Sequence, residues 1–336
     1  MKTTIKDVAE LAGVSIATVS RVLNNKDRVN ANTRKKVQQA IQALDFKPST
    51  IARSMINNET HTIGLLIPLL SNEFWSNFAE GIEQLLWDHG YTTNLFMADN
   101  NSFDKMKAIM KTIENKRLDG IILCSVPQLP EQVKELSEMI VAANIPAVTF
   151  EFSLPGIPSV KGDHIQGGCM AVEHLIRFGH RSIAYIGGPE ISIAREMGFR
   201  QAHLLHNIPC QEALIQYGKP TVDFGREAMK KLLVSDMIHT AVFCANDLLA
   251  IGAMEAIHAR GLQIPQDVSV VGYDNIKACE YVTPQLTTIV QPVPQMTRLL
   301  VETLLEAKDD LSHVSNRNFI LPMEIKVRGT TGPVKA

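Results

Sequence analysis

From Thr62 onward, short apolar runs alternate with amphipathic stretches, and this alternation restricts the fold more than any other feature of the sequence. Positions 63–67, 94–97, 120–123 and 146–150 read as strands, with helices over 74–89 and 105–116. Runs that are apolar on both faces belong to parallel strands with helices packed on each side. A second series follows, with helices over 165–178, 194–206, 221–234 and 248–260 and strands over 183–186, 241–243 and 268–271. The expected class is α/β: two doubly wound parallel sheets form two lobes, and a ligand enters between them at the C-terminal strand ends. At 336 residues and 45% hydrophobic content, the chain has enough apolar surface for two or three cores.

The first sixty residues have a different texture. Ile5, Val8, Ala9 and Ala12 recur at i, i+3, i+4 and i+7, which places them on one face of a short helix, and Gly13 stands where the chain must turn. A second helix starts after Ser15, whose hydroxyl suits a cap, with Val19, Val22 and Leu23 facing inward. Ile16, Ala17, Thr18, Ser20 and Arg21 are left outward. Spacing alone fits a helix-turn-helix and an ordinary helical hairpin equally well. A third helix over 33–44 can close a miniature core with Val37, Ala40, Ile41 and Leu44, leaving Arg34, Lys35 and Lys36 outside for phosphates. The net charge of −2 hides an asymmetry: residues 1–60 hold ten basic and five acidic side chains, and the remainder holds 23 and 30. A basic head on an acidic body suits a polyanion at one end only.

Other functions leave no trace. No run approaches the roughly 18 apolar residues of a membrane span, and the N-terminus lacks a signal-peptide pattern, so the cytoplasm is the expected location. Five widely spaced cysteines contain no C-x-x-C pair and read as reduced core residues. Walker, G-x-S-x-G, H-E-x-x-H and strand-linked G-x-G-x-x-G motifs are all missing, so no enzyme is expected. His203 and His206 form an H-x-x-H without a third ligand in register, and a polar helix face accounts for them. Neither a metal nor a cofactor is expected.

The string from Asp7 to Asn24, D-V-A-E-L-A-G-V-S-x-A-T-V-S-R-V-L-N, closely resembles the DNA-binding segment of the lac repressor and galactose repressor family of bacterial transcription regulators. Further resemblances recur at Asp119-Gly120-Ile121-Ile122, Glu173-His174-Leu175 with Gly179-His180, Asn246-Asp247-x-x-Ala250-x-Gly252, and from Ile264 to Asp274. The resemblance implies an all-α helix-turn-helix head over 1–46, a hinge helix and linker over 47–60, and a two-lobed, periplasmic-binding-protein-like core over 61–336. Lobe 1 is expected to take about 61–161 and 291–319, and lobe 2 about 162–290 and 320–332. In the hinge, Phe46 stands for the family's Tyr, and Met55 for the Leu wedge that opens a minor-groove step. Residues expected to meet DNA are Thr4, Ser15, Ile16, Ala17, Thr18, Ser20, Arg21, Asn24, Ala52 and Met55. Arg21 is expected to read a guanine and Ile16 a thymine methyl. His164 follows Asp163 where many members have Asn, which puts that position's role in doubt.

Polar residues at strand ends mark the expected effector site: Glu151, Arg195, Asn246, Asp274 and Gln291, with Arg195 the anchor. Each matches an effector-contacting position of the family, although such residues singly also cap helices or bridge lobes. Leu69, Phe74 and Trp75 follow the opening strand, where relatives place apolar surface against a sugar ring, and Trp75 equally suits a core or a dimer interface. The resemblance implies a homodimeric repressor of a carbohydrate-use operon, with palindromic operator DNA and a sugar or sugar phosphate as partners and no membrane. Two alternatives stand beside it. One is a member controlled by a protein corepressor, whose docking pattern is not matched by Cys279-Glu280-Tyr281-Val282-Thr283, and the other is a sugar-binding transport protein.

Overall fold

The computed structural model describes residues 3–23, 29–46, 59–188, 193–235, 237–310, 314 and 317–335. Two compact units divide the chain, Met1–Thr60 and His61–Ala336. The segment expected to form the hinge, with Ala52 and Met55, lies outside the described residues, as does Asn24.

In the first unit, α1 (Ile5–Ala12), α2 (Ile16–Leu23) and α3 (Ala31–Ala43) are set by their ends. The Asp7 carboxylate accepts from both the Thr4 amide (2.7 Å) and the Thr4 hydroxyl (2.8 Å), which holds its pKa below the usual carboxylate value. Gly13 closes α1 at φ +65°, a left-handed conformation that a side chain would strain, and lets the Val14 amide reach the Ala9 carbonyl at 3.0 Å. Ser15 Oγ accepts from the Thr18 amide at 3.2 Å and Asn30 Oδ1 from the Thr33 amide at 2.8 Å, so α2 and α3 also start on capped turns. Val8, Val19 and Val37 are fully buried where the three helices meet. Phe46 closes the bottom of this core and leaves only 9% of its surface exposed.

The second unit carries two six-stranded sheets of one design. In the first, β1 (Thr62–Ile67), β2 (Thr92–Met97), β3 (Gly120–Leu123), β4 (Ala147–Phe150), β5 (Ser159–Gly162) and β11 (Asn318–Leu321) run in the order β11-β5-β4-β3-β1-β2, all parallel. The second holds β6 (Ile183–Gly187), β7 (Ile215–Tyr217), β8 (Ala241–Cys244), β9 (Ser269–Asp274), β10 (Thr287–Val290) and β12 (Glu324–Lys326), in the order β12-β10-β9-β8-β6-β7. Only the β10–β12 pair is antiparallel among the described strands. Alternate side chains of β1 feed opposite layers: Leu66 joins Met106, Ile113 and Ile140, whereas Ile63, Leu65 and Ile67 join Phe78, Ile82 and Leu300. The chain crosses between sheets after β5, after β10 and after β11. The last crossing, expected between 319 and 320, lies between Leu321 and Glu324, because Ile320 and Leu321 still pair with Lys161 and Gly162.

Helices α4 (Glu73–Asp88), α5 (Phe103–Lys116), α6 (Pro130–Ala142) and α11 (Val293–Asp309) flank the first sheet. Helices α7 (His164–Arg177), α8 (Ile193–Leu205), α9 (Val222–Val234) and α10 (Asp247–Ala259) flank the second and cross in close pairs. A Cβ on Gly198 would lie 2.1 Å from the Ile165 carbonyl oxygen, and one on Gly252 would lie 2.0 Å from that of Val222. These contacts are to backbone, which cannot swing aside. Buried His180 ties the C-terminal tail to this lobe, through Ser269 Oγ and the Gly332 carbonyl, each 3.1 Å from Nε2. No described helix is long and apolar enough to cross a membrane.

Two glycine substitutions therefore separate. Gly252→Ala should lower unfolding stability by about 1–3 kcal/mol, the usual cost of overpacking. Gly81→Ala, whose Cβ would meet nothing nearer than Thr297 Cγ2 at 3.6 Å, should be neutral or gain up to about 1 kcal/mol of helix propensity. Urea midpoints of the two variants measure the difference, and equal losses would contradict the backbone-contact account.

Candidate functional site

The C-terminal ends of strands from both sheets meet around one chain of polar contacts. Glu151, just past β4, is held at φ +70°, and Asp274 and Asn275, at the end of β9, at +106° and +55°. Non-glycine residues adopt such angles only when their surroundings hold them there. The Glu151 amide bonds the Val160 carbonyl at 2.9 Å, and the Arg328 guanidinium donates to Asn275 Oδ1 at 2.7 Å. Asp247, fully buried at the start of α10, accepts from the Ile276 amide at 2.9 Å and from the Thr288 hydroxyl at 2.6 Å. Its carboxyl therefore clamps the turn that presents Asp274.

Along the chain of contacts, His164 Nε2 donates to the Glu151 carboxylate at 2.5 Å, and Nδ1 lies 2.8 Å from the Tyr273 hydroxyl, within reach of a hydrogen bond from it. Burial holds the Tyr273 phenol protonated well above its ordinary range, which suits that donation. Arg195 lies over the Tyr273 ring, its Cζ 3.8 Å from the centroid, and pairs with Asp274 at 3.1 Å. It also donates to the Ala245 carbonyl, and Gln291 Nε2 donates to Asp274 at 2.7 Å. Burial works against the Arg195 charge, but Asp274, with Tyr273 and Glu151 behind it, outweighs burial and raises the pKa. Burial likewise raises Asp274, with Arg195 opposing. Two atoms at the end of this chain have no partner: Arg195 Nε, a donor, and Gln291 Oε1, an acceptor, on side chains of residues only 5% and 4% exposed. Buried polar atoms are nearly always bonded, so these two, among five such atoms in the described residues, call for an explanation.

Five sequence-derived candidates thus fall at this meeting of strand ends, in different roles. Glu151, Arg195, Asp274 and Gln291 belong to the chain of contacts, and Asn246 Oδ1 caps α10 through the Leu249 amide at 2.8 Å. Phe74 is buried among Phe78, Phe150 and Trp75, with its ring 5.1 Å from that of Trp75, so the half-buried Trp75 and Leu69 offer more surface. His164, Tyr273, Asp247 and Glu73 were not among the expected site residues. The Glu73 carboxylate accepts from the Lys277 amide at 2.6 Å and the Ala278 amide at 3.4 Å, a second link between the lobes. The H-x-x-H pair is not a polar face: His203 is buried against the Phe199 carbonyl at 2.8 Å, and His206 faces Glu173 at 3.3 Å.

In the first unit, α2 exposes Ile16, Ala17 and Arg21, with Thr18 and Ser20 half-buried beside them. Ser15 Oγ and Thr18 Oγ1 lie 2.9 Å apart, and Thr4 stands exposed at the start of α1.

Residues 4–49 match the bacterial regulatory proteins of the lacI family, and residues 172–331 match the periplasmic binding protein-like domain. The HTH-type transcriptional repressor PurR of Vibrio parahaemolyticus is 37% identical over 97% of this chain and 98% of its own length. The lac repressor dimer bound to operator and the anti-inducer ONPF aligns over 99% of this chain and 100% of its own, with a TM-score of 0.89 and 29% identity. A complex of the transcriptional regulator CelR with cellobiose aligns over 98% and 99%, with a TM-score of 0.73 and 30% identity.

Asp247 gives the site a signature in pH. Burial, reinforced by the nearby Asp274, raises its pKa from 3.8 to about 7. The folded state then holds a proton that the unfolded chain releases near pH 4, so this residue's contribution to stability falls as pH rises from about 4 to 7 and is flat above. Asp247→Asn removes the titration. The variant's stability relative to the wild type should rise across that window, and a difference independent of pH in urea titrations would rule the assignment out.

Proposed function

The chain belongs to the lacI family of bacterial regulatory proteins and is a ligand-regulated, DNA-binding transcription regulator, from which premise we propose that it represses a carbohydrate-use operon as a homodimer on a palindromic operator. It is a regulator and not an enzyme. Support for the DNA half comes from the exposed face of α2, where one long cation, Arg21, stands beside the small Ala17 and the apolar Ile16. A guanidinium forks onto the O6 and N7 of guanine, and an apolar side chain suits a thymine methyl. Thr4, Ser15, Thr18 and Ser20 would add hydroxyls for phosphates and base edges, and Asn24, Ala52 and Met55 would extend the contact toward the minor groove.

The observation that carries the effector half is the pair of buried, partnerless atoms on Arg195 and Gln291, at the end of a polar chain that joins both lobes. Glu151, Arg195, Asn246, Asp274 and Gln291 would hold hydroxyls, with Leu69, Phe74 and Trp75 providing an apolar wall for a ring. The lac repressor structure holds an anti-inducer together with operator, and the CelR structure holds cellobiose, which supports a sugar-class effector here. Because His164 and Glu73 tie one lobe to the other, a ligand seated between them would bias lobe closure, and differential affinity for the closed state would be read out as a change in DNA binding. A regulator of genes would act in the cytoplasm.

Arg21→Ala should weaken binding to the specific site by roughly 1–3 kcal/mol while leaving non-specific DNA nearly unaffected. Gel-shift titrations of a selected dyad-symmetric site and a scrambled one measure this, and equal losses on both would remove Arg21 from base reading.

A further inference from the structure

Resting on the reading of this cleft as the effector site, we propose that it takes an uncharged, hydroxyl-rich molecule and rejects phosphate esters. The buried atoms left unmet here are one acceptor and one donor, beside carboxylates that can accept more. Gln291 Oε1 is a buried acceptor without a partner, and the Glu151 and Asp274 carboxylates are acceptors by nature. Against these, the one buried orphaned donor in the chain of contacts is Arg195 Nε–H. A molecule that completes this pair must bring at least one proton, for Gln291 Oε1, and one lone pair, for Arg195 Nε–H. Hydroxyls carry both, whereas the phosphoryl group of an ester dianion offers acceptors alone and would satisfy Arg195 Nε while giving nothing to Gln291 Oε1.

Charge argues the same way. Arg195 supplies a fixed positive charge that Asp274 already neutralises at 3.1 Å, and the second guanidinium at this turn, Arg328, is engaged by Asn275, the Leu286 carbonyl and Glu280. The lone pairs of Glu151 face the His164 ring and the Gly162 amide, and Asp247 stands buried behind Asp274. Around Tyr273, Arg195 is opposed by three nearby carboxylates, Asp274, Glu151 and Asp163. A dianion entering here would meet carboxylates at low dielectric, with its natural counter-ion already paired. Phosphate sites are built in the opposite sense, from unpaired Arg or Lys and converging amides.

The test uses inorganic phosphate as a probe at millimolar concentration and neutral pH, following the melting of the full-length protein. Phosphate should shift the wild type and Arg195→Ala equally, as a general salt effect, and Asp274→Asn, which frees the guanidinium, should gain an additional shift. A larger shift in the wild type than in Arg195→Ala would overturn the proposal. Arg195→Lys repeats the comparison should the alanine variant fold poorly, with phosphate again expected to shift it no less than the wild type. A second arm compares free sugars with their phosphates, ribose with ribose 5-phosphate and glucose with glucose 6-phosphate. For any sugar that binds, the ester should bind at least about tenfold more weakly, and equal or tighter binding of the ester would also overturn the proposal. If no sugar binds while phosphate remains without a site-specific effect, the exclusion of phosphate stands and the sugar-class reading alone is lost.

Discussion

The buried charge of Arg195 is balanced chiefly by Asp274, 3.1 Å away, and the turn that carries this carboxylate is held in place from several sides. Asp274 lies at φ +106°, where a side chain is strained, so the turn needs a clamp, which Asp247 provides through the Ile276 amide and the Thr288 hydroxyl. Asp247 can be that close because residue 272 is glycine: a Cβ there would lie 2.3 Å from its Oδ1. Arg195 in turn depends on Gly168, whose missing side chain lets the Arg195 carbonyl approach α7 to within 2.2 Å of where a Cβ would be. Removing one partner of a buried pair leaves the other uncompensated, so these glycines are part of the site although neither has a group that touches a ligand.

The same arrangement explains how a site can report on lobe position. Glu151 leaves the first sheet and His164 opens the second lobe, and their 2.5 Å bond spans the crossing between them. Glu73 adds a second link, from α4 to the amides of Lys277 and Ala278 just past Asp274. With three crossings between sheets, the lobes can move only about those segments. A molecule held by Arg195 and Gln291, as proposed, would act on the motion that these links restrain.

Much of this was legible in the sequence, for identifiable reasons. Apolar runs such as 63–67 announced parallel strands because burial on both faces leaves no polar alternation. Glu151, Arg195, Asp274 and Gln291 could be singled out because, as a set, they match effector-contacting positions of the family; taken singly, polar residues at strand ends more often cap helices or bridge lobes, as Asn246 does. The rest depended on distant parts of the chain. β5, β7, β10 and β11 are short and, unlike the equally short β3, β4 and β8, are not buried throughout, so their identity comes from the neighbour they pair with. His164 stood out as a departure from the family pattern, yet its role required seeing Glu151 and Tyr273 on either side of it. Phe46 was matched to the hinge motif by its neighbours in sequence, and its burial against Val8 and Val37 is a fact of packing.

The central claim is that occupancy of the cleft and affinity for operator are coupled. Operator affinity of the full-length protein, measured by titration across a range of effector concentration, tests it most directly. A coupling of about 1–3 kcal/mol is predicted, or roughly 5- to 150-fold in affinity, with the same factor recovered when effector affinity is measured with and without operator. An operator affinity that stays flat as the cleft fills would contradict the account.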